Sequence, residues 1–145
     1  MKNKILFTVL TGILSVFLLS CEVTGTYKLS LQTNLSEDLL TLECIGKITK
    51  GKAKYYQDKG FIIGIGKEIV YDPKKCYIVK LETYETEFKE IVFLEDVKSY
   101  VPLQADSIYY VRAYIRSNYG LFYSDAQPIL IKQIFFEDSF DEDFE

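Results

Sequence analysis

A chain of 145 residues is long enough for one domain of ordinary size, and 48% apolar with 26% charged residues is the composition of a packed globular protein. Twelve Tyr and ten Phe against three Pro and eight Gly exclude a disordered or collagen-like chain. There is no His, which excludes His-based acid/base chemistry, Ser-His and Cys-His nucleophile pairs and His-ligated zinc.

Lys2 and Lys4 precede an apolar run over residues 5–19, which Ser20 and Cys21 close. A positive start, an apolar stretch and a small residue before a cleavage point make a secretory signal over residues 1–20. Fifteen residues at about 1.5 Å each span roughly 22 Å, short of the ~30 Å of a bilayer core, so a retained transmembrane helix is not expected. Leu18-Leu19-Ser20-Cys21 resembles the bacterial lipobox, which implies cleavage before Cys21, a diacylglycerol on its thiol and an acyl chain such as palmitate on its amine. Two or three acyl chains, at about 0.8 kcal/mol per buried methylene, hold a protein on a membrane without any protein helix. Loss of the leader removes two lysines and no acid, leaving 15 basic and 21 acidic side chains, a net of −6.

Residues 21–26 read as a lipidated tether. From Tyr27 onward the signals are those of strands. Leu29, Leu31 and Thr33 alternate with polar residues, and Leu40, Leu42, Cys44, Gly46 and Ile48 do the same. Residues 61–65 (FIIGI) are a short apolar run, read as a buried central strand. Residues 77–81 and 88–94 follow as further strands. Residues 108–116 alternate cleanly, with Tyr109, Val111, Ala113 and Ile115 on one face. Residues 121–123 and 129–131 read as one last strand interrupted at Pro128, which suits a sheet edge because proline lacks a ladder donor. Seven strands with no convincing helix predict an all-β, seven-stranded antiparallel β-sandwich over residues 27–132, with a barrel as the structural alternative. Residues 133–145 form an acidic aromatic tail with six acids, no base and Phe136, Phe140 and Phe144 at every fourth position. The tail reads as a solvated terminus or as an amphipathic segment for a partner's groove. The body carries 15 charges of each sign, so nothing favours nucleic acid.

The string YYVRAYIRSNYGLFY over residues 109–123, preceded by Val101-Pro102-Leu103, resembles the last hairpin of fibronectin type III-like domains found in Gram-negative surface lipoproteins. Lys59-Gly60-Phe61-Ile62-Ile63 is similar to the start of that family's third strand. Residues 71–81 follow no such pattern. The resemblance implies an immunoglobulin-like sandwich in which Tyr109 packs inward and bonds back to nearby backbone, locking the crossover between sheets.

Several features invite a chemical reading. Cys44 and Cys76 remain after lipidation of Cys21. A disulfide between them closes a loop of about 32 residues and contributes about 3–4 kcal/mol; two separate buried thiols are the alternative. Lys47, Lys50, Lys52, Lys54 and Lys59 crowd one segment with Tyr55 and Tyr56 among them. In the implied topology this loop lies at the lipid end, so Lys50, Lys52, Lys54, Tyr55 and Tyr56 either face the bilayer or form a solvated loop. Tyr110, Arg112, Tyr114 and Arg116 share the outward face of their strand, either as a ligand face for a sugar or peptide or as cross-strand packing. No cofactor, metal site or acid/base pair is expected, so the protein is not read as an enzyme. The sequence carries no signal for oligomeric state. The expected function is that of a lipid-anchored binding or adhesion module of the cell envelope, holding a glycan or protein partner near the outer membrane, on its surface or periplasmic side. The alternative is a periplasm-facing scaffold lipoprotein whose acidic tail docks on a larger complex.

Overall fold

A computed structural model of the chain describes residues 26–52 and 56–130. The leader, the lipobox with Cys21, Lys54 and Tyr55, and the acidic tail lie outside the described residues.

The first hairpin pairs β1 (Lys28–Leu35) with β2 (Thr41–Lys50) in antiparallel register, Leu31 opposite Gly46 and Thr33 opposite Cys44. In β2 every second side chain, Leu42, Cys44 and Ile48 among them, points into the core, as its period of two predicts. After a turn comes β3 (Asp58–Ile65), then β4 (Tyr77–Leu81) and β5 (Glu87–Phe93). A short helix α1 (Leu94–Tyr100) leads to β6 (Tyr109–Ser117), β7 (Gly120–Tyr123) and β8 (Gln127–Ile129). All pairings are antiparallel. One sheet runs β1-β2-β5; the other runs β4-β3-β6-β7, with β8 also on β6. The fold is all-β, with the two sheets packed face to face.

Between the sheets lie Leu42, Cys44, Ile48, Phe88 and Val92 on one side and Phe61, Ile63, Val111, Ala113 and Ile115 on the other. The rings of Phe61 and Phe88 sit 5.3 Å apart, and burying each side chain fully contributes about 1.5–3 kcal/mol. The Phe88 ring fits because Gly46 opposite it has no Cβ; a methyl there falls 2.4 Å from the ring. From β1, Thr33 Oγ1 meets Gln127 Oε1 at 3.0 Å while Gln127 Nε2 donates to the Leu31 carbonyl at 2.5 Å, tying the sheets along one side.

Two expectations need correction. Leu94, read as the end of a strand, begins a helix. Seven residues are too few to show a 3.6-residue period, and Phe93-Leu94 extends the apolar pattern of β5. The helix buries only Leu94 and Val97, and its local signals are acids in the first turn (Glu95, Asp96) and Lys98 in the last. The last strand is also divided differently. Its break lies at Ser124, where the Ser124 N–H donates to the Ala113 carbonyl and Ser124 Oγ accepts from the Ala113 N–H, each at 2.9 Å. The register against β6 shifts by one residue there, from Tyr114 opposite Tyr123 to Val111 opposite Gln127. Eight strands result among the described residues. Pro128 sits inside β8, on a strand whose only partner among the described residues is β6.

Tyr109 is buried, and its hydroxyl donates to the Val101 carbonyl. The bond links the end of α1 to the start of β6, across the crossover between the sheets.

Candidate functional site

Tyr110, Arg112, Tyr114 and Arg116 do share the outer face of the five-stranded sheet, but that face is largely covered: Tyr114 is buried and the other three are half-buried. Residues 66–76, the connection between β3 and β4, fold across it. Tyr114 is fully buried among Ile62, Ile69 and Cys76, with the Tyr71 ring edge-on at 5.1 Å. Arg112 donates from Nε to the Ser124 carbonyl and from Nη1 to the Ile69 carbonyl, each at 3.0 Å, and its guanidinium lies 4.9 Å from the Tyr123 ring centroid. Arg116 pairs with Asp58, with Nε 2.8 Å from Oδ2, and lies 5.3 Å from the Tyr71 ring centroid. The Tyr71 N–H donates to the Tyr123 hydroxyl at 2.8 Å. Of the two readings of this face, these contacts are those of cross-strand and segment packing, with Tyr110, Arg112 and Arg116 left half-buried at its rim. The alternation located the face correctly; nothing in a period of two reports what lies above it. The same segment explains why β3 is buried on both sides. The Tyr114 hydroxyl is buried without a hydrogen bond of normal geometry, and burial, with the Asp58 charge beside it, pushes its pKa up.

The two cysteines are free thiols on opposite sides of that sheet. Cys44 lies in the core between the sheets; burial first, then the Glu90 and Glu43 charges, push its thiol up to about 12. Cys76 sits under the covering segment, where its thiol donates to the Val70 carbonyl at 3.4 Å. The disulfide alternative is corrected by this placement: the backbone of β3 and the side chains around it stand between the two sulfurs.

The lysine-rich loop is found at the end of the sandwich where the described chain begins. Lys28, Lys50 and Lys52 are exposed there. The loops at this end are held by aromatic contacts. Tyr27 packs 5.5 Å from Phe122, its hydroxyl donates to the Lys52 carbonyl at 3.0 Å, and Tyr56 packs 6.2 Å from Tyr84. Gln57 Nε2 donates to Asn118 Oδ1 at 2.7 Å, joining the β2–β3 loop to the β6–β7 turn. Gly51 has a positive φ of 113° and its missing Cβ leaves room for the Tyr27 ring, 2.5 Å away. Tyr84 is 80% exposed and Tyr119 67%. Neither was singled out from sequence. The signal for Tyr119 was present, because a ring in a two-residue turn between Asn118 and Gly120 has nothing to pack beneath.

Tyr56 of the expected loop set and Lys59 of the crowded lysines belong to the interior. Tyr56 is half-buried against the core, and burial pushes its phenol up. Lys59, counted among the crowded lysines, is fully buried. Its ammonium donates to the Glu85 carbonyl and lies 4.7 Å from the Tyr56 ring centroid and 5.0 Å from that of Phe88. Burial pushes its pKa down, against a smaller upward pull from the Glu85 charge. Two ring faces and a carbonyl replace part of its hydration.

The opposite end carries an apolar patch. Leu40 is 63% exposed and Phe93 58%, and they adjoin, since Phe93 pairs with Thr41 and the Leu94 N–H donates to the Leu40 carbonyl. Leu39 beside them and Ile91, two residues along the same outer face, are also exposed.

Among the described residues no helix is long and apolar enough to cross a membrane, and no group of three or more His, Cys, Asp and Glu side chains is placed to hold a metal ion. No family model, curated protein or solved structure matches the chain.

Proposed function

We propose that the protein is a lipid-anchored, non-catalytic binding module of the bacterial cell envelope, with a fibronectin type III-like body held to the outer membrane through Cys21. Two features support the body assignment. Strands one, two and five face strands three, four and six plus a last strand in two pieces, and Tyr109 bonds back across the crossover to Val101. The function rests on one observation above the others: the molecule is polar along its length in a way that suits an anchor. The described chain starts at the end carrying Lys28, Lys50 and Lys52, and the exposed apolar group Leu39, Leu40, Ile91 and Phe93 lies at the other. An anchor at Cys21 directs that group away from the bilayer, toward a partner. Exposed apolar side chains that adjoin one another favour a protein partner over a glycan.

A photo-crosslinking residue at Leu40 or Phe93 in cells tests this reading, with Lys67 as the control position. Adducts of defined mass at the first two positions and none at the third are expected. Equal, diffuse crosslinking at all three overturns the binding role. Incorporation of an alkynyl fatty acid that vanishes in Cys21→Ser is expected from the anchor, and retention of the label refutes it.

A further inference from the structure

The corner between β1 and β2 holds an electrostatic conflict that no ion pair among the described residues resolves. Lys28 pairs with Lys50 just beyond a bulge in the ladder, and like charges paired across two strands repel. Lys52 follows two residues on. None of the three forms an ion pair among the described residues. The corner is also firmly built. Tyr27, only 6% exposed, packs beneath it, bonds to the Lys52 carbonyl and fits against Gly51. Three cations are thus pre-positioned rather than left on a loose loop, which lowers the ordering cost of binding an anion. Tyr119 stands at the same end, in the turn that Asn118 ties to Gln57 of the β2–β3 loop, with its own ring largely in solvent. An exposed tyrosine beside lysines is the pairing found where proteins meet the headgroup layer of a bilayer. The acids of this end, Glu82, Glu85 and Glu87, stand on the β4–β5 side, with Lys47 opposite Glu87 across the ladder.

We propose that Lys28, Lys50 and Lys52, with Tyr119, form a contact for the phosphate headgroups of an anionic lipid surface, seating the sandwich on its β1–β2 corner. The proposal deepens the anchored reading above and rests on it. The lipid at Cys21 brings this end to the bilayer, and the corner then fixes the tilt: the lysines toward the lipid, the Glu82 and Glu85 side lifted from it. Each lysine near an anionic surface contributes about fivefold in partitioning, so the three together amount to about a hundredfold.

The test uses the full lipidated chain in phosphatidylcholine vesicles with and without phosphatidylglycerol. Lysine acetylation by a water-soluble reagent is read residue by residue by mass spectrometry. Labelling of Lys28, Lys50 and Lys52 should slow at least severalfold in the anionic vesicles and recover in 1 M salt, while Lys67, Lys74 and Lys75 label alike in both. Equal labelling of the corner lysines in both vesicles overturns the proposal. Flotation at 1 M salt separates the two claims, because an acyl anchor survives salt and a lysine contact does not. A chain that leaves the vesicles in salt refutes the anchor. The corner is then judged by flotation at low salt: binding to anionic vesicles alone supports it, and binding to neither overturns it.

Discussion

Replacing Lys59 with methionine should leave the protein about as stable as it is, although a fully buried, charged side chain is removed. The ammonium has one carbonyl acceptor, that of Glu85, and two ring faces, those of Tyr56 and Phe88. The hydrogen bond is worth about 1.5–3 kcal/mol and each ring about 0.5–1 kcal/mol, more when dry. Taking the charge out of water costs several kcal/mol, so gain and loss nearly cancel. Methionine keeps most of the stem's packing, and the change at pH 7 should lie within about 1 kcal/mol of zero. Lys59→Ala instead loses three buried methylenes, about 0.8 kcal/mol each, and opens a cavity, for a total of about 3–4 kcal/mol. Urea unfolding followed by tyrosine fluorescence reads both variants, and the absence of Trp keeps that signal clean. Linkage supplies a second check. Burial lowers the folded pKa of Lys59, so between the lowered value and the ordinary one the unfolded chain binds more protons. Wild-type stability therefore rises with pH through that alkaline window relative to Lys59→Met, so the gap between them, near zero at pH 7, opens in favour of the wild type as pH passes through it. A methionine variant as unstable as the alanine one, with a pH-independent gap, refutes the reasoning: the polar contacts would then outweigh the desolvation.

Tyr109→Phe leaves the buried Val101 carbonyl without its donor and should cost about 1–3 kcal/mol in the same assay; a loss below 0.3 kcal/mol, taken as roughly the error of the measurement, denies the bond any role. Arg112→Leu removes the donors to Ser124 and Ile69, so hydrogen exchange should accelerate in residues 66–76 before it does in β2; uniform acceleration would show that the contact holds no separate unit. Gly51→Ala forces a methyl toward the Tyr27 ring at a positive φ and should destabilise by about 1–2 kcal/mol. An unchanged midpoint refutes the fit. Cys44, its thiol pushed up to about 12, and buried Cys76 should resist a thiol reagent at pH 8 until denaturant is added. Rapid modification of either in the native chain contradicts the packing.

The strands of the core were legible because burial on one face imposes a period of two, and Leu42-Cys44-Ile48 and Tyr109-Val111-Ala113-Ile115 keep it without error. The placement of Tyr110, Arg112, Tyr114 and Arg116 on one face was legible for the same reason. What covers that face was not. Ile69, Tyr71 and Cys76 contact it from an irregular segment with no period, and its anchoring bonds use main-chain groups, the Ile69 carbonyl and the Tyr71 N–H, that almost any residue supplies. Lys59 was misplaced because a lysine in a lysine-rich stretch reads as surface, and only the fold brings Tyr56, Glu85 and Phe88 around it from distant positions. The helix escaped notice because its first buried residue, Leu94, continues the pattern of the strand before it, leaving Val97 as the only other apolar signal in seven residues.

The segment over residues 66–76 is held chiefly by its backbone: the Ile69 carbonyl on Arg112, the Tyr71 N–H on Tyr123, the Val70 carbonyl on Cys76. Lys67, Glu68, Val70, Lys74 and Lys75 all point to solvent. Shape there is decoupled from composition. Related chains are free to vary these five positions while the strap keeps its path, so this side of the molecule should drift fastest in evolution and should accept an inserted epitope with the least disturbance. On the proposed envelope role, that is the side on which surface identity changes at the smallest structural cost.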